Sequence, residues 1–212
     1  MPLTSPSTTA SPAGGGRGRP RLTTRGKIQR AAVELFVRRG YEATSVEDIA
    51  RELDIGRTTF FRYFPTKSAV IWHDYEEATK ALADLLARIP SDAPLLASVG
   101  DAIVASAESA AQDRVFARAR SALIMDVPEL FRTGAAAGAR WAEAVASHVR
   151  ARAGAHVHPA LPDAIAFALL GVLEACVRTW VEEDDASLAE LLRSGVELVA
   201  SAMQGALERD AG

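Results

Sequence analysis

Three short stretches hold residues able to do chemistry on a polyanion or a metal. Arg57-Thr58-Thr59 follows the break Asp54-Ile55-Gly56 and opens a short helical stretch. An arginine there can donate two hydrogen bonds to guanine O6 and N7, and a threonine methyl can lie against a thymine methyl. Arg17-Gly18-Arg19-Pro20-Arg21 spaces its arginines with residues that oppose a helix, so the run can lie extended in a narrow groove. The residues leave two readings open. One is an AT-hook that prefers A·T-rich minor grooves; the other is a basic tail that binds phosphates without preference. His156-x-His158 has no cysteine or clustered carboxylate beside it, so a solvated loop is expected there and no metal. There is no nucleophile elbow, phosphate-cradling glycine loop or zinc set, so neither an enzyme nor a cofactor is expected.

Charge supports a polyanion. Residues 1–70 carry 12 Lys and Arg against 6 Asp and Glu, a net of +6, while the remainder carries −9, giving −3 overall. A basic front on an acidic body points to a local binding surface. With 212 residues there is room for one reading module and one larger core. The single cysteine, Cys176, excludes an intrachain disulfide and reads as a small buried hydrophobe. No secretory signal is apparent and no apolar run is expected to reach membrane-spanning length, so a cytoplasmic protein with no membrane partner is expected.

The elements that must position these residues read as helices throughout. Alanine, the best helix former, is abundant, and no strand alternation is evident. Residues 1–22 form a basic arm whose uncharged first part cannot bury enough apolar surface to order itself. Thr23 or Thr24 caps a first helix that Gly40 stops. Ser45, with Asp48 three residues on, caps a second, and a third runs from about Arg57 to Tyr63 before Pro65. Residues 23–68 therefore read as a helix-turn-helix. Thr66 should cap a long fourth helix running to about Ile89. Residues 69–212 then hold helices from about Pro94 to Ala111, Asp113 to Ile124, Pro128 to Gly154, Pro162 to Glu183 and Ser187 to Glu208. The fold class is all-α, with about nine helices.

Gly40-Tyr41-Glu42-Ala43-Thr44-Ser45-Val46-Glu47-Asp48-Ile49-Ala50 and Ile55-Gly56-Arg57-Thr58-Thr59-Phe60-Phe61-Arg62-Tyr63-Phe64-Pro65-Thr66-Lys67 closely resemble the DNA-binding domain of TetR-family regulators. The resemblance implies a homodimer on a double-stranded operator of two related half-sites, acting as a repressor that a small molecule relieves. It implies phosphate contacts for Thr44 and Lys67, base reading for Arg57, Thr58 and Thr59, and a backbone contact for Tyr63. The family's usual tyrosine is Phe61 here, which has no hydroxyl, so only packing is expected of it. Ile55 to Lys67, with Trp72, Asp74 and Tyr75, is similar to regulators of the mycofactocin system, which implies an acyl-coenzyme A-like effector. A ligand-independent architectural DNA-binding protein is the alternative, and an enzyme with a hidden site the remoter one.

In the body, Trp72, Phe116, Trp141, Phe167 and Trp180 can line a ligand cavity, fill the core or sit in a dimer interface. Arg120, in an otherwise apolar helix, can meet an anionic ligand or point to water, and water is the expected side. Glu174 and Arg178, four apart, should form an ion pair. The helix after Pro162 is apolar nearly all round and must be covered nearly all round. Gly171 and Ala175 on it would let a second copy approach closely.

Overall fold

The computed structural model describes residues 24–153 and 157–210, and every regular element among them is helical. Arg17, Arg19, Arg21 and His156 lie outside the described residues.

Local signals build the first three helices. Thr24 caps α1 (Arg25–Arg39), its hydroxyl accepting from Lys27 N at 3.3 Å. Gly40 ends that helix at φ 86°, a left-handed conformation that a side chain would oppose, and its N–H donates to Phe36 O at 2.8 Å. α2 (Val46–Glu52) carries a reciprocal capping box: Ser45 Oγ accepts from Asp48 N at 3.1 Å, and Ser45 N donates to Asp48 Oδ2 at 3.0 Å. Asp54, at φ 52°, turns the chain into α3 (Arg57–Tyr63). Ile28, Leu35, Phe36, Ile49, Phe60 and Phe64 meet in the core that these helices enclose.

That core does not end with the head. Val70, Ile71, Ile124 and Leu130 belong to it, so residues beyond position 68 and from the body complete it. The expected long fourth helix from Thr66 is absent for this reason. Thr66 instead caps a 3-10 turn, Ser68–Val70, its hydroxyl accepting from Ala69 N at 3.0 Å. Adjacent Val70 and Ile71 both bury fully, and Gln29 Nε2 takes the Ile71 carbonyl at 3.3 Å. The chain therefore re-enters a helix only at α4 (His73–Leu86).

The body continues with α5 (Leu95–Ala110), α6 (Arg114–Asp126), α7 (Pro128–Thr133), α8 (Ala135–Ala153), α9 (Leu161–Glu182) and α10 (Leu188–Asp210). The single helix expected from Pro128 to Gly154 is thus two, α7 and α8, meeting at Gly134. A Cβ at Gly134 would lie 2.4 Å from the Trp72 ring. Trp72 Nε1 donates to Thr133 Oγ1 at 3.1 Å, which fixes the indole there.

Leu82, Val99, Ile103, Val145, Ile165 and Leu169 centre the main core, where α4, α5, α8, α9 and α10 pack together. On α6, Arg114 donates to the carbonyls of Asp184 and Ala186, at 2.6 and 3.0 Å. Arg118 donates to Val181 O at 2.8 Å and to the Asp184 carboxylate at 2.8 Å. The α9–α10 turn is thereby tied to α6.

α9 corrects one expectation. Its 22 residues, with mean hydropathy 1.7 over the most apolar stretch, are long and apolar enough to cross a membrane. Leucine, isoleucine, valine, phenylalanine and alanine raise its hydropathy, while Asp163, Glu174, Arg178 and Glu182 interrupt the apolar run. The helix lies across the body against α8 and α10, and little of it is buried within one chain.

Two outcomes follow from these contacts. Gly134→Ala should lower stability by about 1–3 kcal/mol in chemical denaturation, because the added methyl overlaps the Trp72 ring that Thr133 holds in place. The Asp48 carboxyl is lowered from 3.8 to about 2, chiefly by its hydrogen bonds with the Ser45 side chain and backbone, then by Arg51. A depressed carboxyl stabilises the fold above its unfolded value, and the effect fades as pH falls toward about 2. The stability gap between wild type and Asp48→Asn should therefore close as denaturation is repeated from about pH 5 down to about pH 2.

Candidate nucleic-acid interface and effector cavity

α3 presents its first turn outward. Arg57 and Thr58 are exposed and Thr59 is half-buried, while Phe60 beneath them is fully buried. Arg57 is not idle: its guanidinium meets Glu47 Oε1 of α2 at 3.0 Å and lies 5.3 Å from the centre of the Phe61 ring. Phe61 therefore does more than pack. It is 40% exposed, stands edge-on to Phe60 and gives Arg57 an aromatic face to rest on. Arg62 lies over the half-buried Tyr63, 5.3 Å from its ring centre. Arg57, Thr58, Phe61 and Arg62 are the exposed residues of this helix.

Two expected phosphate holders are built in differently. Thr44 is buried, and its hydroxyl donates to Gly40 O at 2.8 Å while its N–H donates to Tyr41 O at 3.2 Å. Both of its donors, expected to face a phosphate, are used inside the loop. Lys67 does not sit at the N-terminus of α4, which starts at His73, but directly before the 3-10 turn Ser68–Val70. Its ammonium donates to Tyr41 O at 2.9 Å and Thr44 O at 3.1 Å, and lies 3.9 Å from the Tyr41 ring centre. Both residues fix the loop that leads into α2. Tyr41 also donates its hydroxyl to Glu129 of α7 at 2.8 Å. Burial, then the Glu129 hydrogen bond, raise its pKa well above the usual phenol value and keep it protonated.

The body holds an apolar cavity of about 380 Å³ between α4, α6, α8 and α9. Trp72, Trp141 and Phe167 line it, as does Tyr75, which packs against Trp72 at 5.0 Å. Phe116 is elsewhere. It lines an open cleft between the head and α4, with the Arg30 guanidinium 4.6 Å from its ring centre and Asp113 holding Arg30 at 2.7 Å. Glu174 and Arg178 form no ion pair among the described residues; both are exposed and line the cavity.

Arg120 overturns the expectation that it points to water. It is 5% exposed, pairs with Asp74 of α4 and lies 4.8 Å from the Tyr75 ring centre. Asp74, 46 positions away, carried no signal that could link it to Arg120. Gly171 and Ala175 lie on the exposed face of α9, with nothing within 4 Å of a Cβ built at Gly171. His158 accepts Ala160 N–H through Nδ1 at 3.2 Å, and no cluster of three or more potential metal ligands occurs among the described residues.

Comparison with known proteins gives these features a context. Residues 28–71 match the model for bacterial regulatory proteins of the tetR family, and residues 93–204 match that for the MftR C-terminal domain. The chain is 32% identical, over 88% of its length and 94% of the relative's, to a candidate mycofactocin biosynthesis transcriptional regulator, MftR, of Mycobacterium tuberculosis. It is 40% identical to the HTH-type transcriptional regulator TcmR of Streptomyces glaucescens, over 45% of this chain and 43% of that one. Among solved structures, a candidate TetR-family regulator from Syntrophomonas wolfei aligns with a TM-score of 0.66 at 16% identity, covering 85% of this chain and 95% of that one. Thermus thermophilus FadR, a TetR-family repressor in complex with lauroyl-CoA, aligns with a TM-score of 0.57 at 22% identity, covering 85% and 95%. The chain belongs to the TetR family of helix-turn-helix, DNA-binding transcriptional regulators.

Proposed function

We propose that the protein is a homodimeric repressor, released from a palindromic operator when a small molecule with an apolar body enters the cavity of about 380 Å³. It acts in the cytoplasm, where that DNA is. One observation carries the reading. The segment from Val70 to Thr79 is shared by both sites: Val70 and Ile71 complete the core of the head, and Trp72, Tyr75 and Thr79 line the cavity. A ligand that favours a different packing of this segment must alter the placement of α3. By linkage it then weakens DNA binding by the factor with which DNA weakens ligand binding. Pockets of a few hundred Å³ with mostly apolar walls are typical small-molecule sites. The lauroyl-CoA bound to Thermus FadR supports an acyl chain as one such body. Selection of bound fragments from the source genome, followed by release with candidate effectors, tests the reading. A protein that stays on its operator with every ligand that binds the cavity is architectural.

In this reading Arg57, Thr58 and Thr59 read bases, Tyr63 meets the backbone, and Thr44 and Lys67 act by fixing α2. The arm containing Arg17, Arg19 and Arg21 adds a minor-groove or phosphate contact. Arg57→Ala should weaken operator binding by about 1–3 kcal/mol and relax preference at one base pair per half-site, measured by titrating matched and mismatched duplexes. Glu47→Gln should strengthen binding, because Arg57 then leaves no ionic partner when it turns to the base.

The dimer is assigned to α9 and α10. α9 exposes Phe167 (59%), Gly171 and Ala175, and α10 exposes Leu198 (74%). Such faces suit burial against a second copy, which would hold two heads about 34–36 Å apart, one turn of DNA, or at a multiple of that. Gly171→Asp puts a charge where the helices would meet, and an unpaired buried charge is costly. A folded but monomeric protein with sharply reduced operator affinity is expected by sedimentation, circular dichroism and DNA titration. A tight dimer with unchanged affinity would place the seam elsewhere.

A further inference from the structure

Three buried side-chain nitrogens among the described residues lack a hydrogen-bond partner: Arg120 Nε, His148 Nε2 and Trp180 Nε1. Two of the three belong to residues that line one small, partly open space of about 90 Å³, next to the larger cavity. Tyr75, Ser121, Trp141, Leu173 and Val177 line both, so the two are neighbouring chambers. A guanidinium and an indole can donate but cannot accept. What the small chamber lacks is therefore an acceptor. Buried donors left without one are rare in native proteins and call for a water, an ion or a ligand group.

The surroundings specify that acceptor further. Among the described residues, Asp74 is the one acidic residue lining the small chamber, and it is already committed to Arg120. The Trp180 ring has two more guanidiniums near it, Arg114 at 5.5 Å and Arg118 at 5.8 Å from its centre. The rest of the wall is largely alanine and aliphatic carbon, including Ala78, Ile103 and Ala117. A donor-bearing end, with its one lining arginine paired to Asp74, adjoins an apolar room.

We propose that the effector is an apolar carboxylic acid. Its carboxylate occupies the small chamber and accepts from Arg120 Nε and Trp180 Nε1, and its body fills the larger chamber. This rests on the reading of the cavity as the effector site. It selects a free acid over an ester or thioester, which has no negative charge to offer at that end. It also supplies the switch. Guanidinium and carboxylate favour two parallel bonds, and an incoming acid contests the Arg120 group with Asp74. Asp74 lies in the first turn of α4 and also lines the open cleft that Lys27 and Arg30 of α1 line. Displaced from Arg120, the Asp74 carboxylate turns toward that cleft, and the start of α4 parts from α6. The empty protein thus carries, in Asp74, an internal stand-in for its own effector.

The test uses the full-length chain and a neutral fluorophore, N-phenyl-1-naphthylamine, to report cavity occupancy. It is displaced by 1-naphthylacetic acid and by 4-phenylbutanoic acid, each compared with its primary amide and its alcohol. Each acid should displace the fluorophore at a concentration about tenfold or more below its amide and alcohol. Arg120→Gln should abolish that preference. Asp74→Asn should strengthen acid binding, having removed the competing carboxylate, and leave amide binding as it was. Should Arg120→Gln fail to fold by circular dichroism, Trp180→Phe decides the same point by lowering the acid preference. If acids, amides and alcohols displace the fluorophore alike, the small chamber holds only water and the proposal is wrong, while the cavity reading stands. A fluorophore that does not bind at all removes the cavity reading and this proposal with it.

Discussion

Val70 and Ile71 are the joint on which the architecture turns. Both are completely buried, and they complete the core of the reading head together with Ile124 and Leu130 of the body. The chain forms a 3-10 turn over Ser68–Val70 and enters α4 only at His73, with both side chains in the shared core. The Gln29 amide then claims the Ile71 carbonyl from across the head. The head and body therefore share an interior where a flexible linker would have left them independent. Since interiors are close-packed, a shift of α4 or α6 reaches α1 as a change of packing.

Polar contacts reinforce the same joint from both sides. On one, Tyr41 reaches Glu129, and Lys67 holds the loop carbonyls of Tyr41 and Thr44. On the other, Arg30 binds Asp113 and rests on Phe116. These contacts place α3 relative to the body without touching any residue of its outward face.

The sequence made the head legible because its signals are local. Thr24, Gly40, the Ser45 and Asp48 pair and Pro65 act within four residues of where they stand, and each bounds the helix expected of it. The body was legible only as a succession of helices. Where it differed, a distant partner decided. Gln29 and the head core end the helix expected from Thr66, and Trp72 meets the chain at Gly134. Arg120 looked solvent-facing because Asp74, its partner, is far away in sequence. The four-residue spacing of Glu174 and Arg178 suggested an ion pair, but helical spacing says only that two side chains are neighbours. The family pattern marked Thr44 and Lys67 without saying which of their hydrogens the loop had already taken.

The resting contact between Arg57 and Glu47 bears on how such a protein searches a genome. Most of the DNA it meets is the wrong sequence, present in enormous excess, and a freely available arginine would cling to phosphates everywhere. An arginine with a partner of its own gives up that partner at every site it visits. A single phosphate oxygen only replaces what was lost, whereas the paired acceptors of a guanine edge exceed it. In the proposed reading that loss is the same wherever Arg57 turns to DNA, so it shortens residence at every site and leaves the ranking of sites to the base contacts.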